Sequence, residues 1–356
     1  YVDLVEELPA NVVKRVMQNS TPENRKLINQ YLKYPEDSAG SLMTNEYVYF
    51  RSGFTVAKAF EIIREHGVDK ETIYTCYVTS LRKELLGVVT VREMLLAAPD
   101  TIIDSLMDTN PIHVHTHDDQ EEIAKMFSRY DMLAMPVEDS ENRIVGIITI
   151  DDAVDVIQDE NTEDIKKMAA IIPSDEDYMK TSVWSLVAHR LPWLMLLMIS
   201  ATFTSTIITH FETLLSGAVL LTAFIPMLMD SAGNSGSQTS VTVIRNLALG
   251  EIELRDWPHV LAKEIGVAIV SGAALALVNF LRIIIFTSTS MMIAAVVSVT
   301  LFCTVIIAMI VGCLLPIGAK KLGFDPAVMA SPLITTVVDA MSLLIYFQLS
   351  SWLLGL

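Results

Sequence analysis

The sequence predicts two unlike parts in one chain: a soluble α+β region built from a tandem repeat, then an all-α polytopic membrane domain of five transmembrane helices. Three observations carry this prediction. Charge is lopsided: of 25 Lys and Arg and 42 Asp and Glu, only 7 and 8 lie beyond residue 180, leaving a net −16 before that point and −1 after it. An internal repeat fills the acidic part. Five long apolar segments fill the rest, which is why so acidic a chain still has a mean hydropathy of +0.45.

Residues 1–40 read as the C-terminal remnant of a helical domain. Thr21-Pro22-Glu23 sets a capping hydroxyl before a proline at the first helical position, and Leu27, Ile28, Tyr31 and Leu32 then recur on one face. The start at Tyr1 shows no charged-then-apolar leader, so no signal peptide is expected and a truncated start is. Cys76, Cys303 and Cys313 show no paired spacing, so no disulfide framework or thiolate metal site is expected. A polyanion of net −17 excludes nucleic acid as a partner and favours cations. No nucleophile–base pair, phosphate loop or catalytic metal motif is evident, so the chain does not read as an enzyme.

The repeat is visible when Ser41-Leu-Met-Thr44 is set against Ser105-Leu-Met-Asp108, and Leu85-Leu-Gly87-Val-Val-Thr90 against Ile144-Val-Gly146-Ile-Ile-Thr149. Each copy, 41–104 and 105–160, predicts a short strand, an amphipathic helix, a two-stranded turn ending Gly-x-x-Thr, and a closing helix. The second copy ends Gly146-Ile-Ile-Thr149-Ile-Asp-Asp152 and the first carries Glu93 at the acidic position. This pattern resembles tandem cystathionine-β-synthase (CBS) domains. The resemblance implies a cleft for ATP or another adenosine nucleotide, with Glu93 on the ribose, Arg92 beside it for a phosphate, and Pro136 lining the base. The competing reading is that the acidic residues only cap the closing helices. His113, His115 and His117 alternate along a predicted strand, a spacing that suits zinc or nickel but more often marks a solvated edge. Residues 161–190 read as an acidic linker and connecting helix.

The membrane part divides into segments near 191–211, 214–249, 260–286, 291–318 and 326–354, the second too long for one straight span, so that part of it should project into water. Setting the soluble part in the cytoplasm leaves Lys180, Arg190, Arg245, Arg255, Lys263, Lys320 and Lys321 inside and Arg282 outside. That predicts a multi-pass cell-membrane protein with its C-terminus outside. In the fifth segment Ser331, Thr335, Asp339, Ser342 and Tyr346 fall within about 80° of one another on a helix, a stripe that reads as a water-facing wall. An ionisable group at mid-helix costs about 2.5–3.5 kcal/mol or more, and no Lys or Arg lies near mid-depth to answer Asp339. In the second segment Asp230, Asn234 and Gln238 interrupt the apolar run within Asp230-Ser-Ala-Gly233-Asn-Ser-Gly236-Ser-Gln238, either as a second pore wall or as packing glue between helices.

These two segments, the tandem before them and the approach Tyr34-Pro-Glu-Asp-Ser-Ala-Gly-Ser-Leu-Met-Thr44 together resemble the MgtE-type magnesium channels over essentially the whole chain. The resemblance implies a homodimer in the lipid bilayer with the pore on its axis and hydrated Mg2+ held by Asp339. It implies that Thr335 and Ser331 line the wall, with Glu212 and Asp325 at outer or peripheral cation sites, while the polar stripes of the two segments set Ser342, Asp230, Asn234 and Gln238 beside the path. It further implies closure by cytosolic magnesium at Asp119, Glu121, Asp131, Asp152, Asp155, Glu160, Glu163 and Asp164. Residue chemistry agrees: magnesium keeps its water and takes oxygen ligands, and the stripe offers no imidazole or thiolate. Two alternatives remain beside the channel: a proton-coupled divalent cation carrier that protonates Asp339 each cycle, and a non-conducting membrane nucleotide sensor.

Overall fold

The computed structural model describes residues 33–174, 178–212, 219–287, 289–329 and 331–355, so the helical reading of residues 1–32 lies outside the described residues. The chain divides into two compact units between Glu160 and Asn161.

The first unit holds two copies of one design. In the first, β1 (Tyr47–Arg51), α1 (Val56–His66), β2 (Thr72–Thr79), β3 (Leu85–Thr90) and α2 (Val91–Leu96) form a sheet of order β1-β2-β3, with β1 parallel and β3 antiparallel to β2. The second repeats this with β4 (Val114–His115), α3 (Gln120–Tyr130), β5 (Ala134–Glu138), β6 (Ile144–Thr149) and α4 (Ile150–Met168). Local chemistry starts each helix. The Thr55 hydroxyl accepts from Lys58 N–H, and the Asp119 carboxylate from Glu121 and Glu122 N–H. Thr90 and Glu93 form a reciprocal capping box, both the amide and the hydroxyl of Thr90 donating to Glu93 Oε2 at 2.7 Å. The amide and hydroxyl of Thr149 likewise donate to Asp152 Oδ2, the hydroxyl at 2.6 Å.

The boundaries read from sequence, 41–104 and 105–160, are crossed in the structure, because each lead-in packs on the other copy. Thr44 pairs with Ile147 of the second sheet, and Ala39 and Met43 join the second core. Asp108 pairs with Val88 of the first sheet, and Leu106 and Met107 join the first core. The repeat glycines make this exchange fit. A Cβ on Gly87 would lie 2.6 Å from the Asp108 carbonyl oxygen, and one on Gly146 would lie 2.9 Å from that of Thr44. Gly87→Ala is therefore expected to lower the stability of the intact chain by about 1–3 kcal/mol, since backbone must move; an unchanged unfolding temperature in detergent would contradict the exchanged packing.

In the second unit the long helices are α5 (Val183–His210), α6 (Ile225–Ala248), α7 (Trp257–Phe286), α8 (Met291–Lys321) and α9 (Ser331–Leu354). The connecting helix and first apolar segment are one uninterrupted helix, opened by the Ser182 side chain accepting from Ser185 N–H. The segment expected to be over-long is broken instead: a 3-10 stretch, Val219–Phe224, precedes α6, which begins with Pro226 in its first turn. Four helical stretches are long and apolar enough to cross a membrane, Val183–His210, Leu254–Phe286, Met291–Lys321 and Pro326–Leu354. Among the described residues α6 does not join them, because Asp230, Asn234 and Gln238 lower its hydropathy; by composition, four of the five expected spans are present. The core is built by α6, α7, α8 and α9 around Leu228, Ile283, Leu301, Val305 and Phe347.

Candidate functional site

The site grows from the way α6 meets α8 and α9. A Cβ on Gly312 would lie 2.3 Å from the Gly236 carbonyl oxygen, so the backbones of α6 and α8 touch there, and only glycine permits it. Ala232, Ala308, Ile334 and Val338 fill the seam beneath. With that face of α6 packed, the opposite face is left open. Asp230, Asn234, Gln238, Thr242 and Arg245 are exposed at helical spacing, whereas Ala232, Gly233, Gly236, Thr239 and Val243 are buried.

Thr335 and Asp339 lie at the edge of this packed seam. The Thr335 methyl is 3.2 Å, and Asp339 Oδ1 3.8 Å, from where a Gly233 Cβ would stand, so the two residues abut α6 through its glycine. Asp339 is partly exposed, and Asp230 of α6 stands within electrostatic range of it. Among the described residues neither carboxylate makes an ion pair or a side-chain hydrogen bond. Two like charges without a counter-charge in an apolar setting call for a mobile cation or a proton. The Thr335 hydroxyl already donates to the Pro332 carbonyl at 2.9 Å.

The rest of the expected stripe is not a wall facing water. Ser342 is 2% exposed and Tyr346 fully buried, its hydroxyl donating to the Leu221 carbonyl at 2.9 Å. The pore-lining reading of Ser342 is therefore corrected: α9 turns that face into the protein beyond Asp339. Ser331 opens α9, and its side chain lies outside the described residues. Glu212 is exposed just past α5.

Asp325 is engaged by a lysine. Lys167 Nζ lies 2.7 Å from Asp325 Oδ2 and 2.8 Å from Glu163 Oε1, so one ammonium serves both carboxylates. Burial alone would lower its pKa, but the hydrogen bonds and charges of Asp325 and Glu163 outweigh that and hold Lys167 above its ordinary range. Alongside, Arg245 donates to Asn161 Oδ1 at 2.8 Å, and Met168 packs on Ile244 and Ala327.

The other acidic residues expected to bind magnesium are spread over several settings. Asp119 caps α3, Glu121 pairs with Lys125 at 2.8 Å, and Gln120 Nε2 donates to Glu160 Oε1 at 3.0 Å. Asp152 is held by Thr149, Asp164 also has a partner, and Asp131 sits at the α3 C-cap in the left-handed region, with φ 51°. Among the described residues Asp131 and Asp155 are exposed and make no ion pair or side-chain hydrogen bond. For the nucleotide cleft, Glu93 is engaged as a helix cap, Arg92 is exposed beside it, and Pro136 is buried in the central strand opposite Ile147. Two members of the histidine row stay together, the His113 and His115 rings meeting edge to face with centroids 5.7 Å apart and His113 approaching Glu138 at 3.8 Å, whereas His117 turns to Thr116 and the Tyr34 ring. Among the described residues no group of three or more His, Cys, Asp or Glu is arranged to hold a metal ion.

Sequence reasoning missed Gly312 and Glu264. Gly312 sits in an unbroken apolar run and gives no signal alone. Glu264, an acid inside the third apolar segment beside Lys263, does stand out in the sequence as a charge in an apolar run.

Comparison with known proteins identifies the family. Residues 225–349 match the MgtE family model, described as a divalent cation transporter; residues 39–100 and 103–159 match the CBS domain, and 1–37 the MgtE intracellular N domain. The magnesium transporter MgtE of Thermus thermophilus is 37% identical over 333 residues, covering 94% of this chain and 74% of the relative. The same-named protein of Bacillus subtilis is 36% identical over 327 residues, 92% and 72% of the two chains. A solved structure of the cytosolic domain of the Mg2+ channel MgtE in complex with ATP is 38% identical over a match covering 44% of this chain and 64% of that one, with a TM-score of 0.42. Similar to these transporters in sequence along nearly its whole length, and carrying the helical domain that the family model describes, the chain belongs to the MgtE family of divalent cation transporters.

Proposed function

We propose that the chain is a magnesium channel of the cell membrane, working as a homodimer. In this reading α6 is a fifth spanning helix, the soluble unit lies in the cytoplasm, and the C-terminus lies outside. The observation that carries it is Asp339, partly exposed against Gly233 and unanswered by any basic side chain among the described residues. A hydrated divalent ion answers such a charge at little dehydration cost, since magnesium sheds water reluctantly and is held readily through its first shell. The polar face of α6 supplies amide oxygens beside it at Asn234 and Gln238. The proton-coupled carrier draws on Asp339 too, because an intramembrane carboxylate can be protonated and released in each cycle. Single-channel magnesium currents in planar bilayers without a proton gradient support the channel; uptake that needs the gradient and shows no unitary current supports the carrier.

Closure by cytosolic magnesium belongs to the same proposal. A strongly acidic soluble unit repels a second copy of itself until divalent ions bind, and Asp131 and Asp155 are the free carboxylates best placed to take them. Lys167 already bridges Glu163 and Asp325 and cancels one of their two charges. Asp131→Asn with Asp155→Asn is expected to raise the magnesium concentration for half-closure about tenfold in patch recordings, at about 0.5–1 kcal/mol per exposed charge, with conduction intact. Unchanged closure would remove these residues from the sensor. Nucleotide occupancy of the CBS cleft is also proposed, with Arg92 as the phosphate contact; titration with ATP, read by a shift in unfolding temperature that Arg92→Ala removes, tests it.

A further inference from the structure

The face of α6 that carries Asp230, Asn234 and Gln238 is useful only while the helix keeps its rotation. Successive residues turn by about 100°, so a one-residue slip would replace Gln238 with Thr239. The contact of Gly236 with Gly312 sets how close α6 comes to α8, but a pair of glycines has no side chain to stop α6 from turning. A directional stop lies one turn along. The hydroxyl of Thr239, itself 2% exposed, donates to Glu264 Oε2 of α7 at 3.0 Å.

Glu264 lies within the candidate span Leu254–Phe286 and makes no ion pair among the described residues. Glu264 stands in the first third of α7 beside Lys263, and neutral side chains would satisfy packing there. A hydrogen bond to a charged acceptor is stronger and more directional than packing, and here it joins the helix behind the path to the one that forms it. Cys313, next to Gly312 on α8, is also within electrostatic range of Glu264, so three helices meet at this carboxylate.

We propose that Glu264 is a positioning residue for ion passage: through Thr239 it fixes the rotation of α6 that presents Asp230, Asn234 and Gln238. Its role is one of position, because the group it holds, Thr239, is buried in the protein. The inference rests on the reading of α6 and Asp339 as the ion path.

The test is magnesium uptake into liposomes by the full chain and by Thr239→Val, Glu264→Leu, Glu264→Gln and the Thr239→Val/Glu264→Leu double variant. Thr239→Val keeps the shape and removes only the donor. Each of Thr239→Val and Glu264→Leu is expected to slow uptake about tenfold, the double variant no further, and Glu264→Gln, whose amide oxygen still accepts, to stay within about twofold of the parent. Rescue by glutamine together with non-additive losses is not what a general packing defect produces. Parental uptake in Thr239→Val, or losses that multiply in the double variant, would overturn the positioning role. An Asp339→Ala arm separates the two readings: parental uptake there removes the ion path and this inference with it, whereas loss there beside parental uptake in Thr239→Val overturns the positioning role alone.

Discussion

Asp339→Ala is expected to reduce magnesium uptake into liposomes by about 100-fold or more while leaving the protein as stable as the parent, or more so. A divalent ion held through water about 5 Å from a carboxylate gains about 6–7 kcal/mol at an effective dielectric near 20; if solvent and desolvation leave about 3 kcal/mol of this, the loss is already above 100-fold. The sign of the stability effect follows from the same geometry. Asp339 makes no ion pair or side-chain hydrogen bond among the described residues, so its removal breaks no bond and relieves repulsion from Asp230. Asp339→Asn keeps the volume and loses the charge, so it should behave like alanine. Calcium and manganese run as competitors report selectivity. Uptake that survives in both variants, or a variant that unfolds early, would show the carboxylate to be a structural element.

Gly312→Ala is the second large effect, and its target does not face the path at all. The new Cβ would meet the Gly236 carbonyl oxygen at 2.3 Å and the Gly236 Cα at 3.2 Å, where ordinary contact begins near 3.4 Å. The obstacle is backbone, so no rotamer relieves it and α6 has to move from α8 by about 1 Å, at a cost of about 1–3 kcal/mol. Lower thermal stability in detergent and slower uptake should appear together. Gly233→Ala makes a useful contrast: its nearest neighbour is the Thr335 methyl at 3.2 Å, which can give by a few tenths of an ångström. A Gly312→Ala protein that melts and conducts like the parent would mean that α6 and α8 are not in backbone contact.

Residues after 180 announce membrane helices by apolar length alone, because a bilayer demands it, and the repeat announces its strands and helices because Gly-x-x-Thr followed by an acid is both a strand end and a helix cap. Glu93 and Asp152 both engage the threonine three residues before them, since such local contacts depend on neighbours in sequence. The exchange of lead-ins was not legible. Met43 and Met107 look alike in sequence, and nothing local says which core each enters.

The same division runs through the site. An acid at mid-helix with no basic residue in reach is a property of the sequence, so Asp339 stands out from the sequence alone. Whether its stripe stays open is a property of packing: Ser342 and Tyr346 share its helical face yet are buried, because α9 leans on Leu221 there. Lys167 lies far from Asp325 in sequence, and only the folded chain brings its ammonium between Asp325 and Glu163. Sequence alone determined which groups are costly in a membrane, since that cost belongs to the side chain and the solvent. Tertiary structure alone decided which of them have partners, since a counter-charge or a glycine contact depends on residues far apart along the chain arriving at one place.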